Sequence, residues 1–145
     1  FLFNYNLIFA HCQIPCGIYD DAIRILQIKE DLRTIEKAMV VIKELSEDLN
    51  PLSLNQLNRW VIEKEKHASK IQSIISNYFL TQRIKETNSN YTQQTTTLQK
   101  LLVVTMKCKQ TLETKNIEKA LGLLELFSTI YFDSHGLEHL KNMSN

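Results

Sequence analysis

The segment His11-Cys12-Gln13-Ile14-Pro15-Cys16-Gly17-Ile18-Tyr19-Asp20 packs two thiols, an imidazole, a proline and a glycine into one short stretch near the start of the chain. Thiolates are soft ligands, and an imidazole suits nickel or copper. Pro15 fixes its own φ, while Gly17 tolerates backbone angles closed to other residues. A chain restricted in this way can form a tight hook that turns both sulfurs inward. By spacing alone, the Cys12 and Cys16 pair is equally compatible with a strained disulfide, a redox thiol pair or half of a zinc site. Zinc would need further ligands, and only Cys108 is left among the cysteines. His67, His135 and His139 could contribute, but nothing in their spacing compels it. Three cysteines are an odd number, so a fully paired disulfide framework is excluded for a monomer. Cys108 lies in an apolar-periodic segment and reads as a small buried hydrophobe.

Length and charge narrow the classes. A chain of 145 residues is long enough for one domain with its own core. With 17 basic and 16 acidic side chains there is no basic excess to hold a nucleic-acid backbone, so no nucleic-acid partner is expected. Glycine and proline number only 3 and 2, which favours long helices over turns. The opening stretch Phe1–Ala10 is apolar, uncharged and ends in alanine, and it begins with Phe where a start Met would stand. It is too short for a bilayer span of about 20 residues. It reads as the remainder of a signal peptide or propeptide cut before His11, which leaves no membrane segment in the mature form. The other reading is a short apolar arm packed on the domain.

Four amphipathic helices must carry and position the chemistry. The first is expected from Asp21 to Ser46, capped by Asp20, with Ile25, Ile28, Leu32, Ile35, Met39, Ile42 and Leu45 in one stripe. The second is expected from Leu54 to Arg83, opened by a capping box of Ser53 and Gln56, with Leu57, Trp60, Val61, Ala68, Ile71, Ile74, Ile75 and Tyr78 facing inward. Its polar stretch Glu63–Lys70 reads as a solvated face. After the linker Glu86–Asn90, the third runs from Tyr91 to Thr114 with Leu98, Leu102, Thr105 and Leu112 on its seam. Asn116 would cap the fourth, Ile117–Phe132, with Leu121, Leu124, Phe127 and Tyr131 inside, and Asp133–Asn145 reads as a frayed tail. Short connections and the lack of alternating runs point to an all-α, antiparallel four-helix bundle over residues 20–133, preceded by the hook at 11–19 and followed by a tail at 134–145.

His11, Cys12, Pro15, Cys16, Gly17 and Tyr19 together form the pattern H-C-x-x-P-C-G-x-Y, and this pattern resembles the nickel hook of nickel-containing superoxide dismutases. The resemblance is strong over His11–Asp20, fair at Tyr78-Phe79, and elsewhere one of architecture. It implies that removal of Phe1–Ala10 frees the α-amine of His11. Nickel would then be bound in a square plane by that amine, the backbone nitrogen of Cys12 and the thiolates of Cys12 and Cys16, with the His11 imidazole as axial ligand in the Ni(III) state. It implies disproportionation of superoxide to oxygen and hydrogen peroxide by Ni(II)/Ni(III) cycling, with Tyr19 and Tyr78 lining the mouth of the site.

Two departures from the family pattern stand out. Gln13 replaces a frequent Asp, and Gln27 stands where the family places a Glu that supports the axial imidazole. A glutamine can accept a hydrogen bond there but adds no negative charge. Arg59 or His67 could take the place of the family's supporting arginine. The resemblance also implies a homo-oligomer, a hexamer in the family, and a protease that removes the leader. The compartment is left open: exported or periplasmic if the leader is secretory, cytoplasmic otherwise. The rival reading is a non-enzymatic exported helical interaction or metal-carrier protein, with a Cys12–Cys16 disulfide or a site completed by His135 and His139.

Overall fold

The computed structural model describes residues 20–144, and over them the chain is all-α. Helix α1 (Asp21–Ser46) begins where the Asp20 carboxylate accepts a hydrogen bond from the Ala22 N–H at 2.7 Å. Its stripe Ile25, Ile28, Leu32, Ile35, Met39 and Ile42 is buried, and its ends are those expected from cap and periodicity. Helix α2 (Pro51–Ser73) begins earlier than the Ser53 capping pattern predicts. Asn50 is the cap: its side-chain oxygen accepts from the Leu52 and Ser53 N–H groups, both at 3.0 Å, while Ser53 Oγ accepts from the Asn50 N–H at 2.8 Å. Pro51 occupies the first helical position, where a missing N–H costs nothing.

α2 runs on directly into a π-helical segment, Ile74–Arg83, that ends with the Ile84 N–H donating to the Phe79 carbonyl at 2.9 Å. Helix α3 (Tyr91–Gln110) stops one turn short of the expected Thr114, because Thr111 adopts extended backbone angles. Asn116 is therefore inside α4 (Lys115–Tyr131) instead of capping it, and its amide donates to Thr111 Oγ1 at 3.0 Å. The segment expected to fray is helix α5 (Ser134–Met143), started by Asp133, whose carboxylate accepts from the Gly136 N–H at 2.8 Å. Gly136 permits this turn to close on Phe132, since a Cβ there would meet the ring at 2.7 Å.

α1 and α2 run antiparallel. Moving along them, Lys37 sits over the Trp60 ring, Asp31 pairs with His67 and Asp21 with Arg83. α3 packs on α4, with the Gln94 amide near the start of one donating to the Ile130 carbonyl near the end of the other at 3.0 Å. α5 lies against α1. Leu32, Ile35, Ile71, Ile75, Leu98, Leu101, Ile117 and Phe127 are fully buried between these helices. On α3 the buried seam is Leu98, Leu101, Val104, Thr105 and Cys108, with the expected Leu102 and Leu112 only partly covered.

The polar stretch of α2 is not a uniformly solvated face. Lys64 is buried, and its ammonium donates to the Cys108 carbonyl at 2.9 Å and to the Lys109 carbonyl. It closes the C-terminal end of α3, where carbonyls lack intrahelical partners and the helix dipole is negative. The expected result of Lys64→Met is a loss of about 2 kcal/mol in denaturant unfolding, because two carbonyls lose a charged donor. Lys66→Met, on the exposed side of the same turn, should cost less than about 0.5 kcal/mol.

Candidate metal centre

The expected metal ligands His11, Cys12 and Cys16, and the expected mouth residue Tyr19, lie outside the described residues. Among the described residues, no group of three or more His, Cys, Asp or Glu side chains is arranged to hold a metal. Cys108, the remaining thiol, is fully buried, and burial pushes its pKa up to about 11, so it stays a protonated hydrophobe. By sequence, His11, Cys12 and Cys16 offer an imidazole and two thiols, a donor set whose chemistry would suit nickel.

The segment joins the helices at Asp20, and that end of the fold carries a polar cluster drawn from three helical elements: α1, the π-helical segment and α4. Asp21, in the first turn of α1, is its centre. Its Oδ2 accepts a hydrogen bond from the Tyr131 hydroxyl of α4 at 2.6 Å. Its Oδ1 accepts from the Tyr78 hydroxyl and lies 2.9 Å from Arg83 Nε. Arg83 Nη2 in turn donates to the Tyr78 oxygen at 2.8 Å. The guanidinium carbons of Arg83 and Arg24 stand 5.0 and 5.3 Å from the centre of the Tyr78 ring. Burial, and then the hydrogen bond to Asp21, raise the Tyr78 pKa above its ordinary value, while Arg83 pulls it down. The same two causes, burial first, raise Tyr131 much further. Both phenols therefore stay protonated through the physiological range.

α5 reaches the same end. His139 Nε2 lies 2.6 Å from Asp20 Oδ2, while the other carboxylate oxygen caps α1. That hydrogen bond is the main reason the Asp20 pKa lies below its ordinary value. His135 and His139, weighed as a metal pair, are not brought into a ligand set: His135 is exposed, and His139 is bonded to Asp20.

The three side chains expected to support the His11 imidazole are spread along the α1–α2 face. Gln27 Oε1 accepts from Arg24 Nη1 at 2.8 Å, one turn from the cluster. His67 pairs with Asp31 at 2.5 Å, roughly 15 Å along α1 from its start. Arg59 is exposed beside Gln56, near Trp60 and Lys37, roughly 24 Å from that start. Among the described residues, the arginines that stand at this end are Arg83 and Arg24. In the sequence Asp21 and Arg83 stand only as the ends of expected helices, and Tyr131 only as a core residue. The signal that could have found Arg83 is its spacing of five from Tyr78, which a π-helix turns to one face.

No curated protein and no solved structure matches the chain. The family model of nickel-containing superoxide dismutase matches residues 7–135, most of its length.

Proposed function

Because the chain belongs to the nickel-containing superoxide dismutase family, a family of nickel-dependent oxidoreductases that act on superoxide, we propose that His11, Cys12 and Cys16 hold its nickel and that Tyr19 and Tyr78 line the mouth of the site. The observation that carries this reading is the extent of the family match, which takes in both the H-C-x-x-P-C-G-x-Y segment and the helices behind it. Bound nickel supplies the one-electron couple that takes two superoxide ions and two protons to oxygen and hydrogen peroxide. The chain supplies the anionic sulfur donors that make the higher oxidation state accessible, and a nitrogen donor at His11 once Phe1–Ala10 is removed. Asp20 follows Cys16 by four residue steps, at most ~14 Å of extended chain, so the donors stay within reach of Tyr78 and its partners.

In this reading the four long helices form an antiparallel four-helix bundle, with α5 added at the end where the metal segment enters. The protein is a homo-oligomer, with a hexamer as the family's arrangement, in which neighbouring copies shield thiolates that oxygen and peroxide would otherwise attack. No described helix is long and apolar enough to cross a membrane.

The test is nickel analysis of the mature protein together with N-terminal mass analysis, on the parent and two variants. His11→Ala should keep most of its nickel, because amine, backbone nitrogen and both thiolates survive, yet lose superoxide consumption by ~10-fold or more. Tyr19→Phe should lose less, since its hydroxyl is not a metal donor. A mature chain that begins elsewhere than His11, or that carries no nickel, overturns the assignment.

A further inference from the structure

Tyr78 is held more tightly than a core aromatic needs to be. Phe79, its neighbour, fills the core with no polar partner, packing edge-on against Tyr78, Phe127 and Tyr131 at 5.0 to 5.6 Å. The Tyr78 hydroxyl, by contrast, is engaged on both sides by charged groups. Its hydrogen goes to Asp21, and its oxygen receives Arg83. Arg83 and Asp21 are themselves paired, so each fixes the other as well as the phenol. The side chains of Asp21 and Arg83 are only 24% and 29% exposed, so water competes weakly for these bonds.

We infer that Asp21 and Arg83 are positioning residues for the Tyr78 hydroxyl, holding the phenol in one orientation with its hydrogen turned back onto the protein, so that Tyr78 orders the approach to the metal without serving as a proton source. The inference rests on the reading that Tyr78 lines the mouth of the nickel site. Among the described residues, the charged or titratable groups set around Tyr78 are Asp21 and Arg24 from α1, Arg83 from its own helix, and Tyr131 from α4 through Asp21. The titration of Tyr78 fits the geometry, since burial and Asp21 both disfavour its anion while Arg83 favours it. The two positioning groups thus act on the phenol in opposite electrostatic senses while acting together on its orientation.

That opposition separates positioning from packing. The full chain without nickel is prepared with fluorotyrosine, and the Tyr78 fluorine resonance is assigned by Tyr78→Phe and followed through alkaline pH. Arg83→Met should move the Tyr78 midpoint up and Asp21→Asn should move it down, each by about one pH unit. Arg83→Lys should leave the midpoint near that of the parent, because the charge is kept. In the nickel-loaded mature protein, Arg83→Met and Asp21→Asn should both lower superoxide consumption by about tenfold. Arg83→Lys should recover only part of the rate, since one ammonium cannot reproduce the fork that meets Asp21 and Tyr78 together. Midpoints that move down together, as loosened packing would produce, overturn the inference, and so do midpoints that do not move. If Tyr78→Phe is impaired in either of those cases, the placement of Tyr78 at the mouth survives and the positioning claim alone is lost. If Tyr78→Phe consumes superoxide like the parent, the placement falls and takes the inference with it.

Discussion

A chain that keeps Phe1–Ala10 will consume superoxide at least ~100-fold more slowly than the same protein beginning at His11, and will bind nickel poorly. The reason is a single atom. In the longer chain the nitrogen of His11 is an amide, whose lone pair is delocalised into the carbonyl. In the shorter one it is an amine, a far stronger donor. Cys12→Ser and Cys16→Ser in the mature protein should each reduce the rate by at least the same factor, because each removes a soft anionic donor and leaves harder oxygen in its place. The measurement is nickel content beside superoxide consumption for the long chain, the cut chain and both variants. Full activity in the long chain, or in Cys16→Ser, would falsify the assignment of these donors. A lost rate with intact helical content places the defect in the metal segment, since Asp20 caps α1 with its own carboxylate.

The largest loss of stability is expected at Phe79. Its ring is fully buried and touches Tyr78, Phe127 and Tyr131, while Tyr131 stacks on Phe127 at 5.1 Å and meets Phe132 edge-on. Truncation in Phe79→Ala removes the member that joins the π-helical segment to α4 and leaves a cavity rigid aromatic rings cannot close. A cost of ~3–5 kcal/mol follows, with a melting midpoint lower by roughly 10 °C or more. Phe79→Leu, which keeps most of the volume, should lose less than half of that. Thermal and denaturant unfolding of the nickel-free chain measure both. A Phe79→Ala midpoint within about 2 °C of the parent would show that the aromatic group does not anchor this end of the fold.

Much of this protein was legible in the sequence where the deciding interactions are local. Helix α1 has its expected ends because its cap, Asp20, and its stripe from Ile25 to Ile42 are a few residues apart and need no partner to be read. Cys108 reads as buried because its apolar neighbours recur at helical spacing. The family is recognisable for the same reason: six residues between His11 and Tyr19 carry the pattern in one uninterrupted run. Local reading failed where one signal had two meanings. Ser53 looks like a cap but serves as the partner of the true cap, Asn50, so α2 starts at Pro51, about a turn before the expected Leu54. Asp133 and Gly136, taken for a tail, cap and close α5.

What only the tertiary structure decided is which polar side chains work together. Lys64 belongs to a charged run on α2, and it becomes a buried cap because the carbonyls of residues 108 and 109 arrive from α3. Asp21 is an ordinary first-turn acid until Tyr131, 110 residues away, donates to it. Arg83 meets Tyr78 because the helix widens to a π-helical pitch over Ile74–Arg83, which brings residues five apart to one face. Hydrophobic periodicity tells which face of a helix turns inward, since burial depends on one property summed along the chain. A hydrogen bond needs two particular atoms about 3 Å apart at a set angle, and that condition is met only after the helices have packed.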